Sequence, residues 1–229
     1  MKYLLFFLAG TLLPFNLGYA QEDALGFLGL TFAPAFENGS SQNFKLPLML
    51  EGGAENHDLT TGITFFSDLT RLSNQFNNNS DFLQSPEQYL FSYFSLHNDY
   101  TVMNWSLLHL TSGFELGHRG FLNSVDNDLK YSLYAAFRVG LRWFFAAKWR
   151  FRVNFQLPLS LYSHNIRNLF FYQAMTELTF DPVGPILNPQ PGTALYSIGV
   201  QYESFSYSNQ SVGFSGFFYA PYLKISLLY

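Results

Sequence analysis

The chain has 229 residues, of which 48% are hydrophobic, 20% aromatic and only 12% charged, against about 25% charged in ordinary soluble domains. A formal net charge of −4 with no basic tail speaks against nucleic-acid binding. The absence of cysteine excludes disulfides, thiolate metal sites, cysteine nucleophiles and a lipoprotein anchor.

The N-terminus reads as a secretory signal. Lys2 supplies the positive n-region, Tyr3 to Leu17 the apolar h-region, and Gly18-Tyr19-Ala20 a small-x-small cleavage site ahead of the polar Gln21-Glu22-Asp23. Two regions are therefore expected: a signal peptide over 1–20 and one folded unit over 21–229. Beyond residue 20 no run of about 20 apolar residues exists, so no membrane helix can be drawn. A closed barrel is the other way to satisfy every backbone polar group inside lipid.

Alternation with a period of two runs through the rest of the chain, as expected of strands whose successive side chains point to opposite faces. Phe44, Leu46, Leu48 and Leu50 alternate with Lys45, Pro47, Met49 and Glu51, and Leu59, Thr61, Ile63 and Phe65 alternate with Asp58, Thr60, Gly62 and Thr64. The clearest signal lies between Lys130 and Tyr162. Tyr131, Leu133, Ala135, Phe137, Val139, Leu141, Trp143 and Phe145 form one face; Lys130, Ser132, Tyr134, Ala136, Arg138, Gly140 and Arg142 form the other. After Ala146-Ala147-Lys148 the pattern resumes, with Trp149, Phe151, Val153, Phe155, Leu157, Leu159 and Leu161 opposite Arg150, Arg152, Asn154, Gln156, Pro158, Ser160 and Tyr162. The two runs are a hairpin with a short turn, and Trp143 and Trp149 flank that turn where an interfacial girdle would hold them. Tyr196, Ile198, Val200 and Tyr202 alternate with Ser197, Gly199, Gln201 and Glu203 near the end of the chain.

The expected fold is all-β: one up-and-down antiparallel transmembrane barrel. Its strands are placed at 24–36, 43–51, 57–67, 88–98, 101–116, 129–145, 149–163, 168–180, 194–206 and 213–229. That is ten, or eight if 164–192 is one long loop. Loops at 37–42, 68–87, 117–128, 164–167 and 207–212 then share one rim, opposite both termini. The lumen is expected to carry Lys45, Lys130, Arg138, Arg142, Arg150, Arg152 and Lys224 against Glu51, Asp58, Glu177 and Glu203. Such a set serves either as ion pairs filling a narrow bore or as a basic constriction that selects anions.

The last residues, Leu223, Ile225, Leu227 and Tyr229 alternating with Tyr222, Lys224 and Ser226, resemble the terminal strand of bacterial outer-membrane barrels. That resemblance implies an outer-membrane location, contact with outer-membrane lipids and lipopolysaccharide, and recognition by the barrel assembly machinery through the strand ending at Tyr229. Within Leu107-Leu108-His109-Leu110-Thr111-Ser112-Gly113-Phe114-Glu115, His109 and Thr111 share a face and Glu115 lies farther along it. This stretch resembles the His-x-Ser pattern of the lipid A deacylases and outer-membrane phospholipases, and implies a base at His109 and a nucleophile at Thr111. Thr stands where those families have Ser, and Ser112, the nearby serine, points to the other face. His57, His97, His118 and His164 show no metal-ligand spacing, and no cofactor fingerprint is present. The main expectation is a non-enzymatic structural, adhesive or small-pore barrel; the alternatives are a lipid-acting hydrolase using His109 with Thr111 or Ser112, and an accessory subunit of a larger envelope assembly.

Overall fold

The computed structural model describes residues 24–33, 35–37, 44–45, 47–56, 58–68, 88–123, 129–164, 167–208 and 213–229. The expected signal peptide and the Asn-rich segment 69–87 lie outside them. The described residues form twelve strand segments: β1 (Leu25–Phe32), β2 (Ala35–Glu37), β3 (Phe44–Lys45), β4 (Pro47–Glu55), β5 (Leu59–Asp68), β6 (Gln88–Trp105), β7 (Leu108–Asn123), β8 (Leu129–Ala146), β9 (Trp149–His164), β10 (Arg167–Phe180), β11 (Ala194–Ser208) and β12 (Gly213–Leu228). β1 and β2 both pair with β12, and β2 also pairs with β3, so β1 with β2 and β3 with β4 each count as one stave. Ten antiparallel staves result, in the ring order β1–β4–β5–β6–β7–β8–β9–β10–β11–β12, and β12 closes onto β1 from Phe27↔Leu228 to Phe32↔Leu223. The eight-strand alternative falls, because β10 occupies much of the segment that it required to be loop.

Several boundaries move. The expected break at Asp99-Tyr100 does not occur: β6 runs on to Trp105, and the turn is Ser106-Leu107, with Ser106 at φ 57°. The next strand accordingly spans 108–123 rather than 101–116, and the loop expected at 117–128 is strand as far as Asn123. β4 continues through Gly52-Gly53 to Glu55. The hairpin at Ala147-Lys148 and both flanking strands stand where periodicity puts them, with a register shift between Trp143 and Ala146.

One rim of the barrel carries the short connections and both ends of the described chain. Asn56 Oδ1 accepts from the backbone N–H of Asp58 (2.9 Å) and Leu59 (2.7 Å), closing the β4–β5 turn as an Asx turn. The longer 181–193 connection is tied down. Asp181 N–H donates to Lys148 O (3.0 Å), Ile186 N–H to Ala147 O (2.8 Å) and Gly192 N–H to Leu228 O (2.8 Å). Asp181 and Ile186 are both buried.

The two faces of the wall differ completely in chemistry. Outward side chains include Leu28, Ile63, Phe65, Phe114, Phe137, Phe155, Leu157, Ile198, Leu223 and Ile225, all well exposed. Among the described strand side chains, no Asp, Glu, Lys or Arg points outward. Aromatics collect toward the ends of this band: Trp105, Trp143, Trp149 and Tyr229 at the short-turn rim, Tyr131, Tyr162, Tyr172 and Tyr219 toward the other. Ten residues separate Tyr219 from Tyr229. At about 3.4 Å per residue and a tilt of about 40°, that is about 25 Å, the height of an outer-membrane barrel's apolar band.

Candidate functional site: the charged lumen

The inward face carries the candidate site. Arg119, Arg138, Arg142, Arg150, Arg152 and Lys224 point inward, as do Glu51, Glu55, Asp99, Glu115, Glu177 and Glu203. The described lumen is thus charge-balanced, six against six. Of the residues expected to line it, Arg138, Arg142, Arg150, Arg152, Glu203 and Lys224 are there. The side chains of Lys45 and Lys130 lie outside the described residues. Asp58 sits exposed on the short-turn rim instead, because the Asx turn carries it out of the barrel wall.

Three levels of ion pairs occupy the bore. Nearest the short-turn rim, Glu55 Oε1 accepts from Arg150 Nη1 (2.9 Å) and Arg142 Nη1 (3.3 Å), and Arg142 Nη2 donates to Thr60 Oγ1 (2.8 Å). β4 and β9 stand on opposite sides of the ten-stave ring, so this contact spans the lumen. Beside it, Lys224 Nζ donates to Glu51 Oε2 (2.7 Å) and Glu177 Oε2 (3.1 Å); Glu177 also pairs with Arg152 (3.2 Å) and accepts from the Tyr222 hydroxyl (3.1 Å). At mid-height Arg138 grips both oxygens of Asp99 (2.9 and 3.1 Å) and bonds Glu115 Oε2. Glu115 Oε1 also accepts from the Tyr134 hydroxyl (2.6 Å) and Gln156 Nε2 (2.7 Å). The Tyr134 phenol lies in the space a side chain at position 117 would fill, so Gly117 is what lets it reach Glu115. Above, Arg119 on β7 pairs with Glu203 on β11, four staves away, and its guanidinium lies 5.3 Å from the Tyr134 ring centroid.

These contacts decide the bore. Ten staves about 4.8 Å apart at that tilt enclose a cylinder about 20 Å across at the backbone. Arginine and glutamate side chains reach into it from facing walls and meet, at Glu55–Arg150 and at Arg119–Glu203. A cavity of about 70 Å³ remains, lined by Glu51, Glu115, Arg138, Arg150, Arg152, Asn154, Gln156, Glu177, Gln201 and Lys224 among others.

The His109 stretch lies on the same inner wall. His109 and Thr111 point inward at 1% and 2% exposure, and the His109 ring packs on Phe144 at 4.9 Å between centroids. Ser112 is on the opposite face, as expected of an unbulged strand. Glu115 is on the inner face too, but six residues from His109, about 20 Å along the strand, and its carboxylate is held by Arg138, Tyr134 and Gln156. The structure therefore brings His109 and Thr111 together and holds Glu115 apart. Glu55, Asp99 and Arg119 are lumen residues that sequence reading did not find. The signal that could find them is parity along one strand: Glu55 with Glu51, Asp99 with His97 and Arg119 with Glu115.

No known protein family matches the chain, and no curated protein matches it. Among solved structures it is similar to the CymD monoaromatic hydrocarbon channel (10% identity over 89% of this chain and 87% of that one, TM-score 0.30). It is also similar to two Pseudomonas aeruginosa proteins. OccK11 (OpdR) shows 10% identity over 93% of this chain and 68% of that one, with a TM-score of 0.27; OpdQ shows 8% identity over 90% and 98%, with a TM-score of 0.19.

Proposed function

We propose that the chain is an outer-membrane barrel of the bacterial envelope with a narrow, ion-pair-bridged lumen that passes only small polar solutes. One observation carries this reading: among described strand side chains, charge is absent from the outward face and twelve charged groups line the inward face. A charged residue on the lipid face of a barrel costs about 2–4 kcal/mol at mid-depth, so such segregation is what a bilayer demands and what water does not. The reading also supplies a use for the terminal strand, whose outward Leu223, Ile225, Leu227 and Tyr229 are offered to the assembly machinery, with the short-turn rim in the periplasm and the apolar band in contact with outer-membrane lipids and lipopolysaccharide.

The lumen, rather than the outer surface, is then the working part. A lipid hydrolase needs its base and nucleophile within reach of acyl chains outside the barrel, whereas His109 and Thr111 face inward. The test is reconstitution of detergent-purified mature protein into a planar bilayer. Small, discrete current steps that polyethylene glycols of a few hundred daltons fail to block from inside the pore are expected. Complete electrical silence of correctly folded protein overturns the pore reading, and a mature chain that stays soluble without detergent overturns the membrane reading.

A further inference from the structure

The hydrogen-bonded wall has a long unpaired seam among the described residues. β9 and β10 pair from Phe180↔Trp149 up to Gln173↔Gln156, and there the ladder stops. Both strands go on, β9 to His164 and β10 back to Arg167. Beyond the last rung each is paired only to its other neighbour, β9 to β8 as far as His164↔Tyr131 and β10 to β11 as far as Arg167↔Ser208. Two strand edges therefore run side by side without bonding each other.

Proline supplies the cause. Asp181 N–H donates to Lys148 O, in step with the β9–β10 register, so the even-numbered residues of β9 turn their backbone groups toward β10. Pro158 is the next such position after Gln156 and has no N–H to give. The interruption beside Pro221 on β12 is different, because pairing resumes in the same register past it, at Phe36↔Tyr219 after Phe32↔Leu223. The β9–β10 ladder does not resume. Leu157 lies eight residues from Trp149 along β9. At about 3.4 Å per residue and a tilt of about 40°, that is about 20 Å, inside the apolar band, where lipid offers unpaired backbone groups no partner.

The last rung also divides two solvents. Gln156 and Gln173, which form it, line the lumen cavity. Leu157 and Tyr172, the first residues past it, are 59% and 38% exposed on the outer face. A solute crossing here exchanges amide groups for an aliphatic side chain and a phenol. A charged solute would carry its desolvation cost into lipid. The crossing lies above the Glu55–Arg150 contact, so a solute that takes it never meets that constriction.

We propose that the β9–β10 seam is a lateral port between the lumen and the outer leaflet, passing small uncharged amphipathic molecules: an apolar body, aromatic or aliphatic, with one hydrogen-bonding group. The port adds a side exit to the narrow bore. It rests on the barrel reading, with the short-turn rim in the periplasm, and not on conduction through the bore.

The experiment closes the seam with a disulfide. The chain has no cysteine, so Leu157→Cys with Tyr172→Cys introduces a single pair. These are the next opposed positions of the register, of the non-hydrogen-bonded kind whose Cα atoms stand about 4.5 Å apart when paired, which a disulfide spans. The probe is N-phenyl-1-naphthylamine, an apolar aromatic with one N–H, and its uptake is followed by fluorescence in Gram-negative cells that produce the barrel. Uptake is expected to be several-fold faster than in the host alone, to fall to the host rate when the cysteine pair is oxidised, and to return on reduction. Pro158→Ala, which restores an N–H at the first missing rung, should slow uptake without any cross-link. Wild-type uptake no faster than the host's overturns the proposal. So does an oxidised pair, its cross-link verified by gel shift, that takes up the probe as fast as the reduced one, and so does a pair that fails to cross-link. The cross-linked barrel should keep its planar-bilayer currents, so loss of the port and failure of the pore reading remain distinct.

Discussion

Glu115 stands where three donors converge: the Arg138 guanidinium, the Tyr134 hydroxyl and the Gln156 amide. Removing one member of a buried, hydrogen-bonded charge set costs more than the set itself contributes, because the remaining groups keep their desolvation penalty. Glu115→Leu is therefore expected to destabilise the barrel by about 3–5 kcal/mol, read as a fall in the urea midpoint of unfolding from lipid vesicles. Glu115→Gln, which keeps two acceptor–donor contacts, should lose clearly less. Equal losses would mean that shape rather than charge decides at this position. At this scale the sequence was only partly legible. Inward parity identifies Arg138, Arg142, Arg150 and Arg152 without ambiguity, since a β-strand offers only two faces. It cannot identify partners. The pairing of Arg119 with Glu203 joins residues 84 positions apart across the bore, and depends on how many staves the ring contains.

The strands themselves follow from alternation wherever both faces are pure. β8 and β9 are long, outwardly apolar and inwardly polar, and their limits agree with the periodicity to within about a residue. The pattern fails where turn-forming residues sit inside strands. Asp99-Tyr100 reads as a break, yet Asp99 is an inward charge that Arg138 takes up in mid-strand. Gly52-Gly53 and Gly117 read as breaks for the same reason, whereas β4 and β7 run straight through them. The actual turn after Trp105 carries no glycine and so gives no local signal. Depth along a strand yields a direct test of the membrane assignment. Phe137 and Tyr162 are both exposed, but Phe137 lies in the middle of β8 and Tyr162 near the loop end of β9, beside Tyr131. Phe137→Arg should cost about 2–4 kcal/mol in vesicles and Tyr162→Arg about 1. In a protein surrounded by water both substitutions would add an exposed charge at little cost, so equal small effects would refute lipid contact at Phe137.

For the whole barrel the decisive quantity is how far the lumen is open. Among the described residues, two contacts cross it: Glu55 with Arg142 and Arg150 low in the bore, and Arg119 with Glu203 above. They act in series, so removing the upper one relieves one constriction and leaves the other in force. Arg119→Ala with Glu203→Ala is expected to raise single-channel conductance several-fold without producing a wide pore. It removes one charge of each sign, so the ratio of anion to cation permeability should stay near the wild-type value. The single variants should not behave alike. Arg119→Ala leaves a buried carboxylate and shifts permeability toward cations; Glu203→Ala leaves a guanidinium and shifts it toward anions. Each single variant also strands a buried charge, so each should unfold at lower urea than the double variant, the reverse of what additive damage would give. A double variant with wild-type conductance would show that the Arg119–Glu203 contact does not limit passage and that the constriction lies wholly at Glu55, Arg142 and Arg150.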